Sequence, residues 1–166
     1  MRLPIFLRQA ETTTAGGNVV VTLPLSEVHL WEAGAGRLYD LTITFGEDTL
    51  HSYFGLRNVA ISGEKVLING KSVFQRLVLD QGFYPDGIYT ASTDEALEND
   101  VKLSMAAGFN GARLHEKVFE PRFLYHCDRL GYLVWGEQGN WGMDPSAPDG
   151  LKNFLPEWME AGERDF

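Results

Sequence analysis

The stretch from Arg76 to Trp135 alternates apolar runs with helix-start and helix-stop signals, and this alternation restricts the fold more than any other feature of the chain. Arg76 to Leu79 (RLVL) reads as a short buried strand. Ser92-Thr93-Asp94-Glu95 then spells a capping box ahead of Leu97, Val101 and Met105 at four-residue spacing, so a helix is expected to start near Thr93. Gly108 suits its C-terminal cap. Phe109 to Leu114 reads as a second strand, Pro121 opens a second helix that Gly131 closes, and Tyr132 to Trp135 reads as a third strand. The order β-α-β-α-β favours a parallel sheet with right-handed crossovers. Beyond it, Gln138 to Leu155, with Gly139, Gly142, Pro145, Pro148 and Gly150, reads as a long loop, and Leu155 to Phe166 starts another helix.

Before residue 75 the pattern differs. Val19 to Val21, Leu38 to Phe45, His51 to Phe54, Val59 to Ile61 and Val66 to Ile68 are short runs rich in β-branched and aromatic residues, separated by Gly, Asn and Asp, as in antiparallel strands. Gly46-Glu47-Asp48 marks one hairpin. Ile68-Asn69-Gly70-Lys71 marks a second, with Asn-Gly where a type I′ turn needs two residues at positive φ. The expected organisation is a β-sandwich portion over residues 1–74 and an α/β portion over residues 75–166. Three parallel strands neither close a barrel nor complete a doubly wound sheet. The second portion is therefore expected to be incomplete, its outer strands shielded by an intermolecular contact, by the β portion or by a missing remainder.

Composition excludes several partners. With 166 residues, 44% of them hydrophobic, the chain has enough apolar material for a substantial core. Its net charge of -9 repels nucleic-acid backbones and anionic lipid surfaces, and no local basic patch offsets it. No apolar run approaches the roughly 20 residues that cross a bilayer. The first residues, MRLPIFLRQAETTTAGG, lack the apolar stretch of a secretory signal, and the compartment is left unassigned. Cys127 falls among Phe123, Leu124 and Leu130 in a helical pattern and reads as a buried, inert thiol.

From Leu38 onward the chain resembles the family-2 glycoside hydrolases, the group of β-galactosidases, β-glucuronidases and β-mannosidases. LYDLTITF followed by YFGLRNVAI resembles the last strands of their immunoglobulin-like domain, and VLINGKSVFQRLVLDQ the hairpin and first barrel strand. DEALENDVKLSMAAGFNGARLH is similar to the first barrel helix and second strand, and FLYHCDRLGYLVWGE to the second helix and third strand. The resemblance spans residues 38–141. It implies an antiparallel immunoglobulin-like β-sandwich portion followed by an incomplete (β/α)8 barrel, its first three βα units. It also implies a carbohydrate substrate, no organic cofactor and retention of configuration by two glutamates, a leaving-group acid after barrel strand four and a nucleophile after strand seven. Both would lie beyond Phe166. No Asn-Glu dipeptide ends a strand here, so no catalytic residue is assigned within this chain.

Barrel enzymes place function at the carboxyl ends of strands, which singles out Asp80, Arg113, His115 and Glu137. Arg113 falls where the resemblance puts an arginine that holds the nucleophile carboxylate ionised, against the plainer alternative of an ion pair with Glu137 or Glu116. His115 stands two residues after Arg113, whereas the family spaces its histidine by three, a place taken here by Glu116. Glu137, after the third strand, is expected to face the same end and pair with Arg113, in either a functional or a structural role. Asp80 reads either as an acceptor for sugar hydroxyls or as a turn-stabilising residue. Trp141, with Asn140 beside it, is a candidate platform for a pyranose face or a packing aromatic. EQGNWGMD holds no counterpart of the Mg²⁺-site glutamate and histidine of some β-galactosidases, so no metal is expected. The rival reading is a noncatalytic carbohydrate-binding or structural β-sandwich module. Its mark would be an exposed row of aromatics drawn from Trp31, Tyr39 and Tyr53.

Overall fold

The computed structural model describes residues 2–3 and 21–137. Among the described residues strands dominate, with two helices, and the chain divides into two compact units, Met1–Val73 and Phe74–Phe166. In the first unit β1 (Arg2–Leu3) runs parallel to β2 (Leu38–Phe45), which pairs antiparallel with β3 (Asp48–Phe54). A second sheet holds β4 (Val59–Ser62), β5 (Lys65–Ile68) and β6 (Lys71–Ser72) in antiparallel order. Val21 lies outside any strand, and the rest of the expected Val19–Val21 strand falls outside the described residues.

The hairpins follow from turn chemistry. Phe45 pairs with Asp48 across Gly46-Glu47, and Ile68 pairs with Lys71 across Asn69-Gly70, whose φ values of 52° and 77° are those of a type I′ turn. Asn69 does more than turn the chain. Its Oδ1 accepts from the Asn58 N–H at 3.0 Å and its Nδ2 donates to the Trp31 carbonyl at 2.8 Å. Trp31 and Tyr39 are buried, Tyr39 stacks on Phe54 at 5.0 Å, and its hydroxyl donates to the Glu27 carbonyl at 3.1 Å. Tyr53 is half-buried, so the aromatic row that would mark the rival reading does not form.

The second unit contains β7 (Leu77–Asp80), α1 (Asp94–Ala106), β8 (Gly111–Leu114), α2 (Pro121–Leu130) and β9 (Leu133–Gly136), with a parallel sheet ordered β7-β8-β9. The capping box does not form as spelled. Thr93, one residue later than Ser92, is the N-cap, and its Oγ1 accepts from the Ala96 N–H at 3.2 Å, which leaves Glu95 in the first turn. Pro121 begins α2, and Gly131, at φ 76°, ends it. The loop expected after Gln138 and the helix expected from Leu155 lie outside the described residues.

Leu97 and Val101 of α1, Ala112 and Leu114 of β8, and Phe123, Leu124 and Cys127 of α2 form one buried cluster with Phe119 and Tyr132. Burial pushes the Cys127 thiol far up, so it stays protonated and inert. Asn110 stitches the amino end of the sheet: its Oδ1 accepts from Arg76 N–H at 2.7 Å, and its carbonyl accepts from Leu133 N–H at 2.9 Å. Among the described residues, only one face of the sheet meets helices. On the other, Leu79, Arg113 and Trp135 stand in register, with Leu79 54% and Trp135 55% exposed. This corrects the expectation of a buried first strand. Its alternate side chains face opposite sides of the sheet, and only the Val78 side packs on the core.

Candidate functional site at the carboxyl end of the parallel sheet

In α/β sheets, ligands bind beyond the carboxyl ends of the strands, and four expected residues gather there. Asp80 ends β7, Arg113 lies in β8, His115 follows β8, and Glu137 follows β9. The Arg113 Nε donates to Glu137 Oε1, the ion pair weighed as the plainer role of Arg113. Glu137 also accepts from the backbone N–H of Glu116. The Arg113 hydrogen bond, with the positive charge behind it, holds the Glu137 carboxyl below the usual range, so it is a fixed anion at neutral pH.

His115 extends the β7–β8 ladder, its N–H donating to the Asp80 carbonyl at 2.8 Å. Gln81 Nε2 donates to His115 Nδ1 at 2.9 Å, which places the ring proton of the neutral form on Nε2, where it is a donor. Asp80 takes its turn-stabilising role: Oδ1 accepts from the Gly82 N–H at 2.8 Å. Burial raises its carboxyl above the ordinary value, against the lowering effect of that hydrogen bond. Asn140 and Trp141 lie outside the described residues.

Two participants, Gln81 and Lys117, were not legible in the sequence, and a third, Glu116, was named there only as an alternative partner for Arg113. Gln81 orients His115. Glu116, at φ 55°, joins His115 and Glu137 in a set whose donor atoms all lie within 4.8 Å of one another. Nitrogen and oxygen donors of this kind take divalent cations, and the absence of a familiar ligand spacing concealed them; at Glu137 the positive charge is supplied by Arg113. Lys117 donates to the Tyr89 carbonyl at 2.6 Å and the Gly82 carbonyl at 3.2 Å, tying the loop after β7 to the loop after β8. Chemically, the end of the sheet offers an oriented guanidinium, an imidazole held by Gln81 and the Glu137 carboxylate, a set suited to hydroxyl-rich or anionic ligands.

No protein-family model matches the chain. A β-galactosidase of Alteromonas mediterranea is 30% identical over 125 residues, covering 72% of this chain and 12% of that protein. A β-galactosidase of Bacteroides ovatus is 26% identical over 171 residues, covering 96% of this chain and 20% of that protein. The chain is a homologue of the family-2-type β-galactosidases. It spans between 11% and 20% of the length of the curated β-galactosidases it matches. The Ruminococcus gnavus β-glucuronidase superposes with a TM-score of 0.72 at 20% identity, over 85% of this chain and 26% of that one, so the homologue shares the fold of that part of the β-glucuronidase. Among the described residues no helix is long and apolar enough to cross a membrane.

Proposed function

We propose that the chain is part of a retaining exo-β-glycosidase that hydrolyses terminal O-glycosidic bonds, and that it contributes the first three βα units of a (β/α)8 barrel behind an immunoglobulin-like portion. The observation that carries this reading is the half-covered sheet. Parallel strands are ordinarily buried on both faces, yet Leu79, Arg113 and Trp135 line a face that no helix among the described residues covers, as the inner wall of a barrel does. In this reading Arg113 and Glu137 stand on that inner wall at its functional end. Retaining hydrolysis needs two carboxyl groups roughly 5 Å apart, one protonated and one ionised. Arg113 then acts as a positioning residue, holding the nucleophile carboxylate ionised, with Glu137 fixing the guanidinium.

The two reacting glutamates are assigned to protein outside these 166 residues. The purified chain is expected to give no turnover of nitrophenyl β-galactoside or β-glucuronide above buffer, and sustained hydrolysis by it would overturn this assignment. In a gene product that extends past Phe166, Arg113→Ala is expected to lower kcat by about 100-fold, as loss of a preorganised charge partner does. An unchanged kcat there would remove Arg113 from the site.

A further inference from the structure

The loop after β7 carries an apolar surface that the Arg113 cluster does not use. Phe83 is 64%, Ile88 73% and Tyr89 42% exposed, and the Phe83 and Tyr89 rings meet edge to face with centroids 5.1 Å apart. Exposed aromatic surface of this kind, next to a polar cluster at the ligand-binding end of a sheet, is characteristic of binding sites.

The loop is also held in shape. Asp80 takes the Gly82 N–H, and Tyr84 and Ile88 exchange backbone hydrogen bonds of 2.9 and 3.0 Å. The Tyr84 phenol hydrogen-bonds to Asp100 of α1. Lys117 takes two loop carbonyls and stands 4.3 Å from the centre of the Tyr89 ring. Glycine at position 82 allows this approach, because a Cβ there would lie 2.7 Å from the Lys117 Nζ. Ile88 is kept at φ 58°, a backbone region that β-branched residues avoid unless their surroundings enforce it. Aromatic side chains fixed in this way bind a ligand with little ordering cost.

We propose that Phe83 and Tyr89 form a stacking subsite for the leaving group, an aromatic or other flat apolar ring joined to the sugar. The inference rests on the glycosidase reading and adds the substrate class at its rim. Position favours the leaving group over the sugar. Arg113 lies within β8, at the level of the strand ends, whereas Phe83 and Tyr89 lie in the loop beyond the end of β7. An exo-acting enzyme holds its terminal sugar deep in the site and directs the leaving group outward.

Saturation-transfer NMR on the full 166-residue chain tests the subsite, with phenyl β-D-galactoside as probe and methyl β-D-galactoside as the arm without a ring. Saturation is expected on the phenyl protons, and Phe83→Ala and Tyr89→Leu should each raise Kd for the phenyl glycoside about 3- to 10-fold, the scale of one aromatic contact. Phe45→Ala, an exposed aromatic of the other unit, should leave Kd unchanged. Unaltered Kd in both loop variants with wild-type circular dichroism, saturation confined to the pyranose protons, or no transfer at all would overturn the proposal. Binding is read without turnover, so a negative result leaves the glycosidase reading standing, and failure of that reading shows in the nitrophenyl glycoside and Arg113 assays instead.

Discussion

The two units build stability from different materials. In Phe74–Phe166, helices α1 and α2 and strand β8 close on a contiguous apolar cluster, and ion pairs of Glu98 with Arg129 and Lys102 lie at its margin. In Met1–Val73 the hairpins expose Ile43, Phe45, Leu50, Val59 and Ile61, and among the described residues the buried large hydrophobic side chains are Trp31, Leu38, Tyr39 and Ile68. There, polar stitching by Asn69 connects the hairpin turn to Asn58 and Trp31. A hairpin takes its register from its turn but is only marginally stable by itself, whereas a βαβ unit forms when its helices bury a shared face. The contrast teaches that the same strand signals carry different amounts of core, depending on what stands across from them.

The largest effect should come from the apolar core of the second unit. Phe123→Ala removes a fully buried ring and is expected to cost about 3–5 kcal/mol, measured by urea denaturation followed by circular dichroism. Asn69→Ala should cost about 1–3 kcal/mol, because it strands two polar groups and puts a β-carbon at φ 52° without the local hydrogen bonding that Asn supplies. If this change cost nothing, the polar account of the first unit would fail. Thr93→Ala removes the α1 cap and should cost about 1 kcal/mol, recovered largely by Thr93→Ser.

The smallest effect is a pH dependence. Hydrogen bonds from Lys102 and Arg129 lower the Glu98 carboxyl from 4.5 to about 2. A depressed folded-state pKa contributes stability that is present above the unfolded value and lost as pH falls towards the folded one. Glu98 should therefore help the α1–α2 pair above pH 4.5, with the help fading towards about pH 2. Denaturation midpoints at stepped pH should show part of the acid loss missing in Glu98→Gln.

Much of the fold was legible because its signals are local. Asn69-Gly70 sets its own turn, Pro121 and Gly131 bound α2, and the four-residue spacing of Leu97 and Val101 places one face of α1 in the core. The N-cap is Thr93 and not Ser92, although both residue types can accept the capping hydrogen bond. The site was legible only in part. Arg113, His115 and Glu137 could be placed from strand ends and Glu116 weighed as a partner for Arg113, but Gln81 and Lys117 enter through contacts between loops distant in sequence, for which no periodicity exists.

By itself the sequence determined the order of strands and helices from Leu38 onward, the hairpin turns and the buried fate of Cys127, since each depends on neighbouring residues or on apolar spacing along the chain. Tertiary structure alone decided that Arg113 pairs with Glu137 and that Leu79 and Trp135 flank Arg113 on the uncovered face of the sheet. Strand register brings those residues together. Register is a property of three strands at once and is encoded in none of them singly.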